Sequence, residues 1–315
     1  MLAAGLSGCE DRPVRMHADQ VDLSERVVAA LVRDQFPQWR VYPVRPVTSH
    51  GTVNALFRLG DEIVLRFPLQ PSGDAGTRAE MLAEQDNARR IAAHVSVAVP
   101  EPLALGEPGE GYDGLWTAYR WIPGEIANGR NIGDPDVFAR DLAGFVRDLH
   151  SIDTGGAGWP GHGRGGPLHR EDEWAQRSLA ESAGLTDTEQ LGRIWARCRD
   201  TPAADAADAW IHADLMPGNL LVRGGRLAAV IDFGTAGIGD RAVDVMPAWN
   251  LLPPGARETY RRALAVDHAT WERGRGWAVV QAIGALWYYV DSNPVMAATA
   301  RHTLNAVLTD LTTAA

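Results

Sequence analysis

The chain has no lysine: all 30 of its basic residues are arginine. That absence excludes a Walker A loop, whose lysine reaches the β and γ phosphates, and it excludes Schiff-base chemistry, which needs an amine. Any cation that holds phosphate here must be an arginine. Cysteine is almost missing too. Cys9 and Cys198 cannot build a disulfide framework or a thiolate metal cluster, which fits a reducing, cytoplasmic setting. Leu6-Ser7-Gly8-Cys9 has the look of a lipoprotein cleavage box, yet the eight residues before the cysteine lack a basic start and a full apolar stretch. Long hydrophobic runs are lacking as well. The longest, 277–290, is 14 residues, too short to cross a bilayer, and it reads as a buried helix with no membrane partner. Positive charge is in deficit, with a formal net charge of −10. That argues against a nucleic-acid partner, which would call for a basic face, and it suits a cationic small molecule.

The 315 residues suffice for two lobes. Ser24 can cap a helix over 25–36, with Val27, Val28, Leu31 and Val32 at helical spacing. The pattern over 41–68 turns to strands, and the runs 53–59 and 63–67 flank Gly60-Asp61-Glu62 as a hairpin. A loop over 71–76 leads to a long helix over 77–94, an extended segment over 95–102 and an apolar strand over 115–122. Pro123-Gly124 then marks a boundary. Beyond it helices are expected at 136–151, 172–183, 187–198, 242–252, 256–264, 267–290 and from 294 onward. The loop 154–167 contains Gly161-His162-Gly163-Arg164-Gly165-Gly166, a formal G-x-G-x-x-G. It is not read as a nucleotide-binding turn, because no strand precedes it and no helix clearly follows.

The chemistry concentrates in Ile211-His212-Ala213-Asp214-Leu215-Met216-Pro217-Gly218-Asn219 and, further on, Ile231-Asp232-Phe233-Gly234. H-x-D-x-x-x-x-N followed by D-F-G is the spacing of a kinase catalytic loop and its metal-binding segment. Asp214 would accept the proton of an attacking hydroxyl, while Asn219 and Asp232 would hold Mg²⁺. Between them, two apolar runs are split by Gly224-Gly225, a two-residue hairpin turn that needs positive φ. Counting back from the turn pairs 223 with 226 and 222 with 227. Asn219 and Asp232 therefore emerge at one open end, where two oxygen ligands can meet a cation. His212 reads as a residue that holds the loop by hydrogen bonds more than as a base. Asp240 and Asp244 read as braces, and Gly234 and Gly237 let the backbone turn tightly.

The stretches 211–222 and 230–244, together with Val99-Pro100-Glu101-Pro102, Tyr119-Arg120-Trp121-Ile122-Pro123-Gly124-Glu125 and Leu149-His150-Ser151-Ile152-Asp153, resemble the aminoglycoside phosphotransferase family, from about residue 20 to the C-terminus. The resemblance implies an α+β, two-lobed protein-kinase-like fold. A flexible tail would cover 1–20, with Met16 an alternative start. A small β-rich N-lobe over 21–122 would bind nucleotide, and a larger, mainly helical C-lobe over 123–315 would carry catalysis and the acceptor. It implies ATP or GTP, Mg²⁺, and transfer to a hydroxyl of a small molecule such as an aminoglycoside or other antibiotic. Arg66 stands where the family usually has a strand lysine facing the phosphates. Its helix partner is Glu84, with Glu80 one turn earlier as the alternative. The turn 49–54, with Gly51 and Asn54, would cover the phosphates. Arg120, Trp121 and Ile122 would connect the lobes and bond adenine through their backbone. Carboxylates at Asp267, Glu272 and above all Asp291 would meet a cationic acceptor.

Protein kinases are less similar: Ala213 stands between His212 and Asp214, and no Ala-Pro-Glu segment follows Asp232. Two other readings stay open. One is a metabolite kinase acting on a sugar, amino alcohol or nucleoside. The other is a non-catalytic kinase-like binding protein, for which arginine in place of the usual lysine is the support.

Overall fold

A computed structural model describes residues 20–48, 51, 53–203 and 207–312. The expected tail therefore falls outside the described residues, apart from Gln20.

The N-terminal part is a five-stranded antiparallel sheet of β1 (Val44–Val47), β2 (Asn54–Leu59), β3 (Ile63–Pro68), β4 (Pro102–Gly106) and β5 (Trp116–Arg120), in the order β1-β2-β3-β5-β4. Gly60 takes φ +58° to turn β2 into β3. Side chains alternate across a strand, and this sorts β3 into two sets. Ile63, Leu65 and Phe67 are buried in one apolar cluster with Val28, Leu31 and Val32 of α1 (Glu25–Gln35). Arg66 lies on the opposite face, toward α2 (Ala75–Ala92). α2 starts at Asp74, whose carboxylate accepts from the Thr77 N–H at 2.8 Å. The inner residues Ala88 and Ile91 belong to the second, larger core, while Gln85 donates to the Ala104 carbonyl of the sheet at 3.3 Å, so α2 touches both parts.

That larger core lies in the C-terminal part. That part comprises β6 (Glu125–Ile126), α3 (Pro135–His150), α4 (Asp172–Glu181), α5 (Thr188–Arg199), β7 (Ala209–Ile211), β8 (Leu220–Arg223), β9 (Arg226–Val230), β10 (Gly237–Gly239), α6 (Pro247–Asn250), α7 (Pro254–Leu264), α8 (His268–Tyr288) and α9 (Pro294–Thr312). α8 is buried on nearly every side between α4, α5 and α9, which explains its lack of an amphipathic pattern. None of the helices among the described residues is long and apolar enough to cross a membrane.

One expectation needs correction. The helix expected over 242–252 is instead a 3-10 turn at Arg241–Val245 followed by the four-residue α6. Pro247 has no N–H to continue the ladder, so the helical pattern breaks there. The short pair β7 and β10, joined through Ile211↔Gly237, Trp210↔Ile238 and Ala209↔Gly239, has no counterpart in the sequence pattern. Three-residue strands are too short to show a period.

Candidate active site

The loop after β7 is held from beneath by Asp244, which is fully buried. One carboxylate oxygen accepts from the Ala213 N–H at 2.9 Å. The other accepts from the His212 N–H at 3.0 Å and lies 3.1 Å from His150 Nε2. The Tyr260 hydroxyl donates to the Asp244 carbonyl at 2.8 Å. His212 is itself buried and stacks edge-on against Phe233. Its Nδ1 accepts from the Asp214 N–H at 3.2 Å and its Nε2 donates to the Ile231 carbonyl at 3.1 Å. Both ring nitrogens are thereby occupied, so His212 ties the loop to the D-F-G strand and has no nitrogen left to take a substrate proton. Ala213 adopts φ +64° and Asp232 φ +67°, a left-handed backbone that costs an L-residue about 1–2 kcal/mol. Such strain is held only where the surroundings over-determine it, as the Asp244 brace does at Ala213.

Gly224 and Gly225 take φ +59° and +78°, as the two-residue turn requires, and the register begins Arg223↔Arg226 and Val222↔Leu227. A bulge then advances β9 by one residue, giving Leu221↔Ala229 and Leu220↔Val230. The Ile231 N–H consequently donates to the Asn219 carbonyl at 2.9 Å, and Asp232 follows directly at the open end. The simple count placed both residues at this end. The bulge brings Asp232 one position closer to Asn219. Asn219 Nδ2 donates to the Asp214 carbonyl at 2.9 Å and to its Oδ2 at 3.0 Å. The Asn219 amide oxygen is thus turned away from Asp214. This oxygen and the half-exposed Asp232 carboxylate form a donor set suited to Mg²⁺, which takes one or two protein oxygens and completes its octahedron with phosphates and water. No group of three or more His, Cys, Asp or Glu side chains placed to hold a metal occurs among the described residues.

Arg66 connects the two parts of the molecule. Its Nη1 meets Glu84 Oε1 at 2.5 Å and its Nη2 meets Asp232 Oδ1 at 3.2 Å. The helix partner is therefore Glu84; Glu80 is exposed. Burial by itself would lower the Arg66 pKa, but Glu84 and then Asp232 outweigh it and raise it above its ordinary value. The guanidinium also lies over the Tyr119 ring, 5.4 Å from its centroid.

Other expected residues fall into place unevenly. Of the turn over 49–54, Ser49, His50 and Thr52 lie outside the described residues, and Asn54 pairs with Pro68 to open β2. The Arg120 side chain bonds Glu101 at 2.6 Å. The Trp121 N–H donates to the Glu62 carbonyl at 2.7 Å, so it is not the connector's donor to a nucleobase, and Trp121 itself is covered by Arg58. Ile122 follows it toward Pro123. Asp267 caps α8, accepting from the Thr270 N–H at 2.6 Å, a bond that depresses its pKa. Glu272 is buried and ion-paired with Arg275 and Arg197. Glu272 is thus tied into the core, while Asp267, although exposed, is engaged as a cap; Asp291 is exposed in the turn after α8.

One residue was missed. Arg164, in the glycine-rich loop, pairs with Asp214 Oδ1 and donates to the Ala213 carbonyl at 3.2 Å. Its signal in the sequence is an arginine among glycines, in a segment that lacks the preceding strand of a phosphate loop. The cluster Asp214, Asn219, Asp232, Arg66, Glu84 and Arg164 thus joins a carboxylate that can take a proton, oxygen ligands for a cation and two guanidinium groups. That combination suits transfer of a phosphoryl group.

The chain matches the model of the phosphotransferase enzyme family over residues 44–277, well over half its length. No curated protein sequence matches it significantly. Among solved structures, it is similar to the GDP complex of wild-type aminoglycoside 2'-phosphotransferase-IIIa, with TM-score 0.66 and 16% identity over 91% of this chain and 100% of that one. It is also similar to the apoenzyme of macrolide 2'-phosphotransferase MphH from Brachybacterium faecium, with TM-score 0.59 and 22% identity over 90% of this chain and 98% of that one. A macrolide 2'-phosphotransferase type I gives TM-score 0.62 at 16% identity, over 90% and 98%. At these identities the likeness establishes the kinase-like fold.

Proposed function

The chain belongs to the phosphotransferase enzyme family, and we propose that it moves the γ-phosphoryl group of ATP or GTP to a hydroxyl of a small-molecule antibiotic of the aminoglycoside or macrolide kind. The observation that carries this reading is the convergence of Asp214, Asn219 and Asp232 at one end of the hairpin, with Arg66 reaching Asp232 from the sheet. A non-catalytic binding module would have no need to hold these four groups together. The neighbours' GDP and ADP complexes support nucleotide use, and their kanamycin and gentamicin complexes support a small hydroxyl-bearing acceptor.

In this reading Asp214 accepts the acceptor's hydroxyl proton. An ordinary aspartate is a weak base, but phosphoryl transfer is loose and needs the proton removed late, so positioning does most of the catalysis. The Asp244 brace and the Asn219 amide fix where the Asp214 carboxylate points. Asn219 and Asp232 would hold Mg²⁺, which neutralises charge on the β and γ phosphates when bound. Arg66, oriented by Glu84, adds a second cation from the sheet. With Glu272 buried in ion pairs and Asp267 capping α8, the expected carboxylate support for a polycationic acceptor is thin, so macrolides belong in the test beside aminoglycosides.

Thermal unfolding with and without nucleotide tests the reading. Mg²⁺-dependent stabilisation by ATP or GTP is expected, with further stabilisation by the true acceptor. No shift with either nucleotide at saturating concentration would refute it.

A further inference from the structure

The glycine-rich loop is shaped for docking. Gly161, Gly163 and Gly165 take φ +91°, +74° and +86°. A Cβ on Gly165 would come within 2.3 Å of Ile211 Cδ1, and one on Gly166 within 2.4 Å of the Trp159 ring. Only glycine permits this approach, and it lays the loop directly on β7 and β10. The Gly165 carbonyl is fixed by the Asp240 N–H at 2.8 Å. Asp240 is in turn gripped by both sides of the Arg273 fork, at 2.6 and 3.1 Å. From this anchored backbone one long side chain, Arg164, reaches into the site and takes Asp214 Oδ1.

The catalytic loop 211–219 contains no arginine and no lysine. The cation beside the acceptor's position is therefore imported from 50 residues earlier in the chain. Arg66 is shared by two carboxylates, Glu84 and Asp232, whereas Arg164 balances Asp214 alone. Its side chain is about two-fifths exposed, while its backbone is pinned.

We propose that Arg164 is a catalytic residue: an arginine finger supplied in cis, which exchanges its bond to Asp214 for the oxygens of the transferring phosphoryl group. The proposal rests on the phosphotransferase reading. In the step, the acceptor oxygen bonds to the γ phosphorus while the bond from that phosphorus to the β-bridging oxygen breaks. The electron pair of that bond leaves with the nucleoside diphosphate, and the hydroxyl proton passes to Asp214. In the free protein Arg164 covers Oδ1 of the very carboxylate that must take this proton. The exchange therefore uncovers the base and places positive charge on the equatorial oxygens in one movement. Arginine fingers act on phosphoryl transfer in this way, and loss of one transition-state donor costs on the order of 100- to 1000-fold in turnover.

The test uses the full chain, its Arg164→Ala variant and its Arg164→Lys variant. ADP and GDP are titrated with Mg²⁺, each with and without aluminium fluoride as a mimic of the flying phosphoryl group, and slow nucleoside triphosphate hydrolysis is measured in parallel. Arg164→Ala is expected to bind the diphosphate as the parent does, to lose the added affinity conferred by fluoride, and to lose about 100-fold in kcat at unchanged KM. Added guanidinium should restore part of the rate, and Arg164→Lys should fall between, neither of which a purely architectural role would produce. Equal fluoride enhancement in Arg164→Ala and parent, or a kcat within threefold, overturns the proposal and leaves the kinase reading standing. Failure of the parent to bind either diphosphate overturns the kinase reading itself, and the proposal with it. Should Arg164→Ala unfold, the same comparisons with Arg164→Lys decide the matter.

Discussion

Replacing Arg66 with alanine is the sharpest way to probe the join between the sheet and the catalytic loop. The guanidinium sits 2.5 Å from Glu84 Oε1 and 3.2 Å from Asp232 Oδ1, and its side chain is 18% exposed. If it faces the nucleotide phosphates as proposed, its removal deletes a charge-assisted hydrogen bond worth about 1.5–3 kcal/mol. At roughly 1.4 kcal/mol per decade that is on the order of 10- to 100-fold in nucleotide affinity. Asp232 and Glu84 would also face each other with no cation between them, which adds to the loss. The assay is the nucleotide-dependent shift in unfolding. At a ligand concentration 100 times Kd the parent gains about 2.7 kcal/mol, and a 100-fold weaker variant at the same concentration gains only about 0.4 kcal/mol. Arg66→Lys keeps the charge but not the planar fork that spans two carboxylates, so it should lie between. Glu84→Gln should follow Arg66→Ala, while Glu80→Gln, on the exposed face of α2, should bind as the parent does. An Arg66→Ala protein with undiminished nucleotide affinity would refute the assignment.

Three further outcomes can be checked on the C-terminal part. Asp310 accepts from Arg257 at 2.6 Å, Arg275 at 2.9 Å and Trp249 at 3.1 Å, and both arginines are buried, so Asp310→Ala should cost about 3 kcal/mol and lower Tm by several degrees. Burial would raise the Asp310 pKa, but Arg257 and the hydrogen bonds win and depress it, so its contribution is present above the ordinary carboxylate range and is lost as pH falls through the lower folded value. The Tm gap between parent and Asp310→Asn should accordingly narrow below about pH 4, and a gap independent of pH would contradict this. Burial, reinforced by Glu272, pushes the Cys198 thiol up to about 12. In a Cys9→Ser background, thiol reagents at pH 8 should therefore label Cys198 only at the rate of unfolding, and prompt labelling of the folded protein would show the site to be open.

Much of the site could be read from the chain because its residues are close in sequence. The loop, the Gly-Gly turn and D-F-G lie within 25 residues, and a hairpin fixes its own register to within the single bulge that moved Asp232 nearer Asn219. Arg66 and Glu84 were expected from the family resemblance, and the strand alternation of β3 and the helix α2 bring the two side chains together. What stayed hidden depends on contacts between distant segments. Arg164 meets Asp214 across 50 residues of chain, and the β7–β10 pair that seats its loop is three residues long. Asp267 and Glu272 were plausible acceptor contacts by charge alone. Only the packed structure shows that one caps α8 and the other lies buried beside Arg275. A carboxylate's role is set by what surrounds it, and that is not written in its own sequence neighbourhood.

The most direct test of the central claim is release of ADP or GDP, with Mg²⁺ present, across aminoglycosides, macrolides, nucleoside antibiotics and small amino alcohols, comparing the parent with Asp214→Asn. Turnover that depends on an antibiotic acceptor, and that the Asp214→Asn variant lacks, is the predicted result. Turnover retained in full by that variant, or nucleotide that never binds, would contradict it.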